Sequence, residues 1–177
     1  MTYPDSEVFS FRAGSPQDAE LLADLGWRTF KEAFGTANKS DDMAAFRHTM
    51  YGVALQAAEL ADPTTAFVIA EVEDEAVGYL KLNSKPAPQA IQAQRPLQID
   101  RLYITRTWTG SGLGDLFMEL CLQQAKQHER DVVWLTVWEH NARAIRFYQK
   151  YGFREVGELD FILGKDVQRD VYMQREV

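Results

Sequence analysis

The sequence predicts an α/β domain built on a mixed sheet with helices on both faces. Three observations carry this. The apolar periodicities run in the order strand, helices, hairpin, strand, helix, strand, helix, hairpin. Residues 132–137, Val-Val-Trp-Leu-Thr-Val, form the nearly continuous apolar run of a strand buried on both faces. The chain has 177 residues, 46% of them hydrophobic and 25% charged, which suits one globular domain able to bury a core without a metal or disulfide staple.

The elements follow in order. Residues 9–13 alternate as a first strand. Ser15-Pro16-Gln17-Asp18 is a helix start, with a serine cap, proline in the first helical position and an acid in the third. Leu21, Leu22, Leu25 and Phe30 repeat at helical spacing, and Gly35 is a natural stop. Ser40-Asp41-Asp42 caps a second helix carrying Met43 and Phe46, and a third covers 53–60. Strands at 66–72 and 76–82 form a hairpin across the acidic turn Glu73-Asp74-Glu75. Residues 83–96 contain Pro86, Pro88 and Pro96 and read as a mobile loop. A strand at 97–104, a glycine-rich loop and a long helix to about residue 130 come next. The 132–137 strand, a helix at 142–151, and strands at 153–163 and 166–176 separated by Gly164-Lys165 complete the chain.

The composition excludes several functions. A net charge of −7 disfavours binding to nucleic acid, because nothing offsets phosphate repulsion, and suits a cationic small molecule. A lone cysteine, Cys121, rules out an intrachain disulfide and a cysteine zinc cluster, and it sits on the apolar stripe of the long helix. His48, His128 and His140 are dispersed without metal-ligand spacing, so no metal is expected. No apolar run approaches the length of a membrane span and the first residues lack the features of a secretory signal, so the expected location is the cytoplasm.

Thr109-Gly110-Ser111-Gly112-Leu113-Gly114 lies between a strand and an amphipathic helix. Glycines there let backbone N–H groups turn outward, and the helix N-terminus adds unpaired donors and partial positive charge. Together these suit a pyrophosphate; a tight turn without ligand is the plainer alternative. The loop ends Gly114-Asp115 rather than Gly-Lys-Ser/Thr, so it is no P-loop, and its spacing differs from the dinucleotide fingerprint.

The stretch Asn141-Ala142-Arg143-Ala144-Ile145-Arg146-Phe147-Tyr148-Gln149-Lys150-Tyr151-Gly152-Phe153 matches the pattern N-x-x-A-x-x-F/L-Y-x-x-x-G-F in full. With the glycine loop it resembles the GNAT superfamily of acyl-CoA-dependent N-acetyltransferases. Segments such as Thr29 to Phe34 and Gly78 to Asn83 look like the PaiA-type polyamine acetyltransferases within it. The resemblance implies the GNAT fold, a mostly antiparallel twisted sheet flanked by helices. It implies acetyl-CoA as co-substrate and a small-molecule amine as acceptor, and a homodimer is usual in the superfamily. Acceptors such as a protein N-terminus, a lysine or an aminoglycoside, or a CoA-binding regulator without turnover, stay open beside a polyamine.

Residue by residue, the resemblance makes Tyr148 the acid that protonates the leaving thiolate; otherwise it is a core aromatic beside Phe147. Asn141 would cap its helix and bind the pantetheine arm. The backbone of Leu102, Tyr103 and Ile104 would pair with that arm, and the amides from Thr109 through Gly110, Ser111, Gly112, Leu113 and Gly114 to Asp115 would hold the pyrophosphate. Asp100 matches the position of an acid that works through water in some polyamine acetyltransferases, or else it pairs with neighbouring Arg101. Glu139 and His140 are alternative bases. Residues 1–62 hold five of the seven net negative charges, and Glu32, Asp41 and Asp42 are candidates to face a polyamine or form a solvated acidic face. The departures are Thr109, where the family has Gln or Arg, and Asp115, an acid beside an anion site. Both put the strength of cofactor binding in question, with Arg101 and Arg106 as compensating cations or plain surface. Trp108, next to the loop, is placed to contact cofactor or substrate.

Overall fold

The computed structural model describes residues 3, 6–34, 47, 49–163 and 166–177. Asp41 and Asp42, with the helix expected around them and the Gly164-Lys165 turn, lie outside the described residues.

The chain forms a seven-stranded sheet in the order β1-β2-β3-β4-β5-β7-β6. Its strands are β1 (Ser10–Ala13), β2 (Thr65–Val72), β3 (Glu75–Asn83), β4 (Pro96–Ile104), β5 (Val132–Trp138), β6 (Arg154–Leu163) and β7 (Asp166–Glu176). The helices are α1 (Ala19–Phe34), α2 (Val53–Ala61), α3 (Leu113–Gln127) and α4 (Ala142–Lys150). All strand pairs are antiparallel except β4 with β5. The sequence lets both α3 and α4 join strands that pair in parallel. Only α3 does so, because β7 inserts between β5 and β6.

Local chemistry explains the connections. Asp18 accepts hydrogen bonds from the Ser15 backbone N–H (2.7 Å) and from both terminal nitrogens of Arg12, closing the turn that leads into α1. The hairpin turn is two residues long: Glu73 and Asp74 take positive φ, 50° and 66°, the hand that matches strand twist. The proline-rich loop is anchored. Ile91 is buried against Val132 and Trp134, and the Asp131 carboxylate accepts the N–H groups of Gln94 and Arg95 at 2.6 and 3.0 Å.

The period of two along β2 divides the core. Val68 and Ala70 pack with Leu113, Phe117, Leu120 and Cys121 of α3, while Phe67 and Ile69 pack with Leu22 and Leu25 of α1. The two helices therefore cover opposite faces. Each such buried side chain contributes roughly 1.5–3 kcal/mol, so the core sets the position of α3 firmly. Among the described residues no helix is long and apolar enough to cross a membrane.

Candidate active site

β4 and β5 pair over three residue pairs, ending at Gln98 with Trp134. Beyond that point the strands diverge, and a cavity of about 820 Å³ opens between them. One wall is β4 from Ile99 to Ile104, another is Thr136 to Trp138 of β5, and the mouth is framed by the glycine loop and α4. The edge of β4 that faces away from β3 has lost its sheet partner here. Its backbone groups are the kind that an extended ligand satisfies as an added strand. Leu102, Tyr103 and Ile104 all line the cavity.

The glycine loop supplies donors. Gly110 and Gly112 take φ of 88° and 91°, and a Cβ at either would meet nothing within 4 Å, so conformation and not crowding demands glycine. Among the described residues, the N–H groups of Gly110, Gly112, Leu113 and Gly114 have no acceptor. Side chains contribute less than expected. The Thr109 hydroxyl donates to the Thr105 carbonyl at 3.2 Å and the Ser111 hydroxyl to the Trp108 carbonyl at 2.7 Å, so both are spent on the turn. The Leu113 side chain is fully buried, leaving only its amide.

Asp115 is not a free charge beside this cradle. Its Oδ1 accepts from Lys150 Nζ at 2.7 Å and from the Tyr151 hydroxyl at 2.5 Å. These bonds hold its carboxyl below the usual range. Two other readings of the loop are corrected. Trp108, half-buried, packs edge-on against Phe9 at 5.4 Å at the margin of the core and does not line the cavity. Arg101 is buried and bonded to Glu59 at 2.9 and 3.1 Å and to Gln56 at 3.1 Å, so it is neither a compensating cation nor surface.

On α4, Asn141 Oδ1 accepts the Ala144 N–H at 3.2 Å, so the cap is real, and the residue also lines the cavity. Tyr148 is 9% exposed and its ring lies between Phe147 and Phe153. Burial, with Tyr103 and Cys121 nearby, pushes its phenol well above the ordinary tyrosine range, so it stays protonated.

Asp100 faces the cavity because of a β-bulge. Lys81 pairs with Arg101 and Leu82 with Ile99, which leaves Asp100 as the extra residue of β4. Its Oδ2 lies 2.6 Å from Lys81 Nζ, and that nearly buried ammonium is also 2.6 Å from Glu59. The partner of Asp100 is thus Lys81, not Arg101. Glu32 does not reach the cavity lining; its carboxylate accepts the Arg106 N–H at 2.9 Å. Glu139 is taken by Arg169 at 2.9 Å, and His140 lines the cavity mouth, largely exposed.

Sequence reasoning missed Asp170. It lies on β7 opposite Trp138 of β5 and Leu159 of β6, and all three line the cavity. Burial raises its carboxyl to about 6. Among the described residues no group of three or more His, Cys, Asp or Glu is placed to hold a metal ion.

Residues 22–153 match the model of the acetyltransferase (GNAT) family. The chain belongs to that family. An uncharacterized N-acetyltransferase of Lactobacillus delbrueckii subsp. lactis is 31% identical over 161 residues, 91% of this chain and 93% of that protein. The spermine/spermidine N(1)-acetyltransferase of Bacillus subtilis is 31% identical over 90 residues, 50% of this chain and 59% of that protein. The GNAT fold is shared with the PaiA N-acetyltransferase of Thermoplasma acidophilum, solved in complex with coenzyme A, at a TM-score of 0.76 and 17% identity over 96% of this chain and 99% of that one. As a GNAT enzyme the chain is an acyl-CoA-dependent N-acetyltransferase with acetyl-CoA as co-substrate. The residues present fit it: the unpaired amides of Gly110, Gly112, Leu113 and Gly114 suit a pyrophosphate, and the unpaired edge of β4 suits an extended arm.

Proposed function

We propose that this enzyme acetylates a small cationic amine of the polyamine class. The observation that carries the reading is one cavity joining the glycine-loop amides, the β4 edge, the Tyr148 phenol and two carboxylates, Asp100 and Asp170. The Bacillus subtilis relative, which matches half of this chain, adds support. So does the net charge of −7, which favours approach of a cation.

When bound, acetyl-CoA supplies a thioester that an uncharged amine attacks. An alkylammonium has a pKa of about 10.4, so the site must first remove a proton. Asp100 or Asp170 takes it; the third cavity carboxylate, Asp115, is held by Lys150 and Tyr151. The amine lone pair then forms the C–N bond as the C–S bond breaks toward sulfur. Tyr148 gives its proton to that sulfur, and the second nitrogen proton restores the phenol. Asn141 and the backbone of Leu102 to Ile104 orient the arm, and the loop amides hold its phosphates.

The test is thiol release from acetyl-CoA against spermidine, spermine, putrescine, lysine, an N-terminal peptide and an aminoglycoside. Turnover with spermidine or spermine is expected. Turnover with only a peptide or an aminoglycoside would remove the polyamine assignment and keep the acetyl transfer. Binding of acetyl-CoA with no turnover on any acceptor would favour a regulator.

A further inference from the structure

We propose that Asp170, not Asp100, is the carboxylate that takes the proton from the incoming ammonium; this rests on amine acetylation in the cavity described above. The two acids face the same space in different states. Asp100 is committed to Lys81 at 2.6 Å, within a cluster in which Lys81 also holds Glu59 and Glu59 holds Arg101. Two acids and two bases there already balance, so Asp100 offers a charge that is in use. The Asp170 backbone is paired in the sheet with β5 and β6, but among the described residues its carboxylate has no ion pair or hydrogen bond. Its chain neighbour Arg169 is engaged by Glu139 at 2.9 Å and Glu158 at 3.0 Å, outside the cavity.

The titratable and charged groups that line this space from other elements are Tyr51, Asp100, Arg101 and Tyr103, Asp115 at the start of α3, His140 after β5, and Arg143 and Tyr148 on α4. Arg101 is held by Glu59 and Asp115 by Lys150, and neither Arg101 nor Arg143 forms an ion pair with Asp170. Burial, with the charges of Asp100 and Asp170, raises the phenol of the half-buried Tyr103. None of these groups neutralises Asp170; burial alone sets its affinity for a proton, at about 6. A base of that strength is ionised at neutral pH and still holds a proton well enough to draw one from nitrogen. A half-buried carboxylate without a partner costs stability, and such groups concentrate where chemistry needs them.

The balance is complete. One Asp170 oxygen accepts an ammonium proton and the nitrogen lone pair is freed for the C–N bond. Sulfur receives the C–S pair and the Tyr148 proton, the second nitrogen proton restores Tyr148, and Asp170 returns its proton to solvent.

The experiment is the pH dependence of kcat/KM, using the amine the wild-type enzyme acetylates best, for wild type, Asp170→Asn, Asp170→Glu and Asp100→Asn. Acetyl-CoA affinity by calorimetry reports whether each variant is folded. Wild type should lose activity as pH falls below about 6. Asp170→Asn should lower kcat roughly 100-fold or more and abolish that limb, with acetyl-CoA affinity within about twofold. Asp170→Glu should restore the limb, and Asp100→Asn should keep it. An Asp170→Asn enzyme with wild-type kcat and an intact limb overturns the assignment while leaving amine acetylation in place, as does a limb that vanishes only in Asp100→Asn. A wild-type protein inactive on every amine overturns the proposed function, and this inference with it.

Discussion

The Lys81 ammonium lies 2.6 Å from Asp100 and 2.6 Å from Glu59, with its side chain 4% exposed. It ties the bulge of β4 to α2 and so fixes one wall of the cavity. Removing it leaves two carboxylates sharing one cation, Arg101, inside the fold. Lys81→Met should therefore destabilise the protein by about 3–5 kcal/mol, the cost of breaking a buried pair from one side. Urea unfolding measures this. A midpoint unchanged from wild type would mean that water, not Lys81, compensates these acids.

The Tyr148 phenol is kept protonated by burial, which suits an acid and not a base. Phenylalanine preserves the ring packing against Phe147 and Phe153 and removes only the hydroxyl. Tyr148→Phe should lower kcat by roughly 10²–10⁴-fold, the usual worth of a positioned acid, with acetyl-CoA affinity unchanged. Steady-state kinetics together with calorimetry separate the two quantities. Full turnover in the variant would return Tyr148 to the role of a core aromatic.

Lys150 neutralises Asp115 at the entrance to the glycine loop. Both side chains are largely exposed, so the pair adds little to folding. Its effect falls on the anion site instead. In Lys150→Met the acid in the first turn of the helix loses its cation, partly cancels the positive potential of the helix N-terminus and repels the phosphates. Affinity for coenzyme A should fall about two- to fivefold, corresponding to roughly 0.3–1 kcal/mol. Added salt should shrink the difference between variant and wild type, because exposed charges are screened. A difference that survives high salt would point to lost packing against Tyr151.

What the sequence revealed of this site is what lies close together along the chain. The run from Asn141 to Phe153 forms one helix and its exit, so its spacing places Asn141 and Tyr148 directly. The loop from Thr109 to Gly114 is equally local, although the inward bonds of Thr109 and Ser111 appear only in the folded turn. Asp100 defeats pattern reading because strand alternation puts it on the opposite face from Arg101, and the bulge breaks that alternation. Arg101 reads as a loop cation because its partners Glu59 and Gln56 lie 42 and 45 residues away. Asp170 looks like any polar residue of an edge hairpin. It borders a cavity only because β7 inserts beside β5 and β4 then turns away after Gln98.

Asp170 also makes a prediction about stability. Its carboxyl is raised in the folded protein to about 6, against about 3.9 in an unfolded chain, so the folded state binds the proton more tightly. Between those values, rising pH ionises the acid in a place that resists the charge, and stability is lost until about pH 6, above which the penalty is constant. Asparagine keeps the shape and never ionises. Asp170→Asn should therefore raise Tm above wild type at pH 7–8, and the gain should shrink as pH falls from about 6 through 4 and level off below about 3, where the wild-type acid is neutral in both states. Thermal unfolding across that range measures it. A gain independent of pH would assign the effect to packing, and a loss at pH 7 would mean that the ionised carboxylate stabilises the fold through a bound cation.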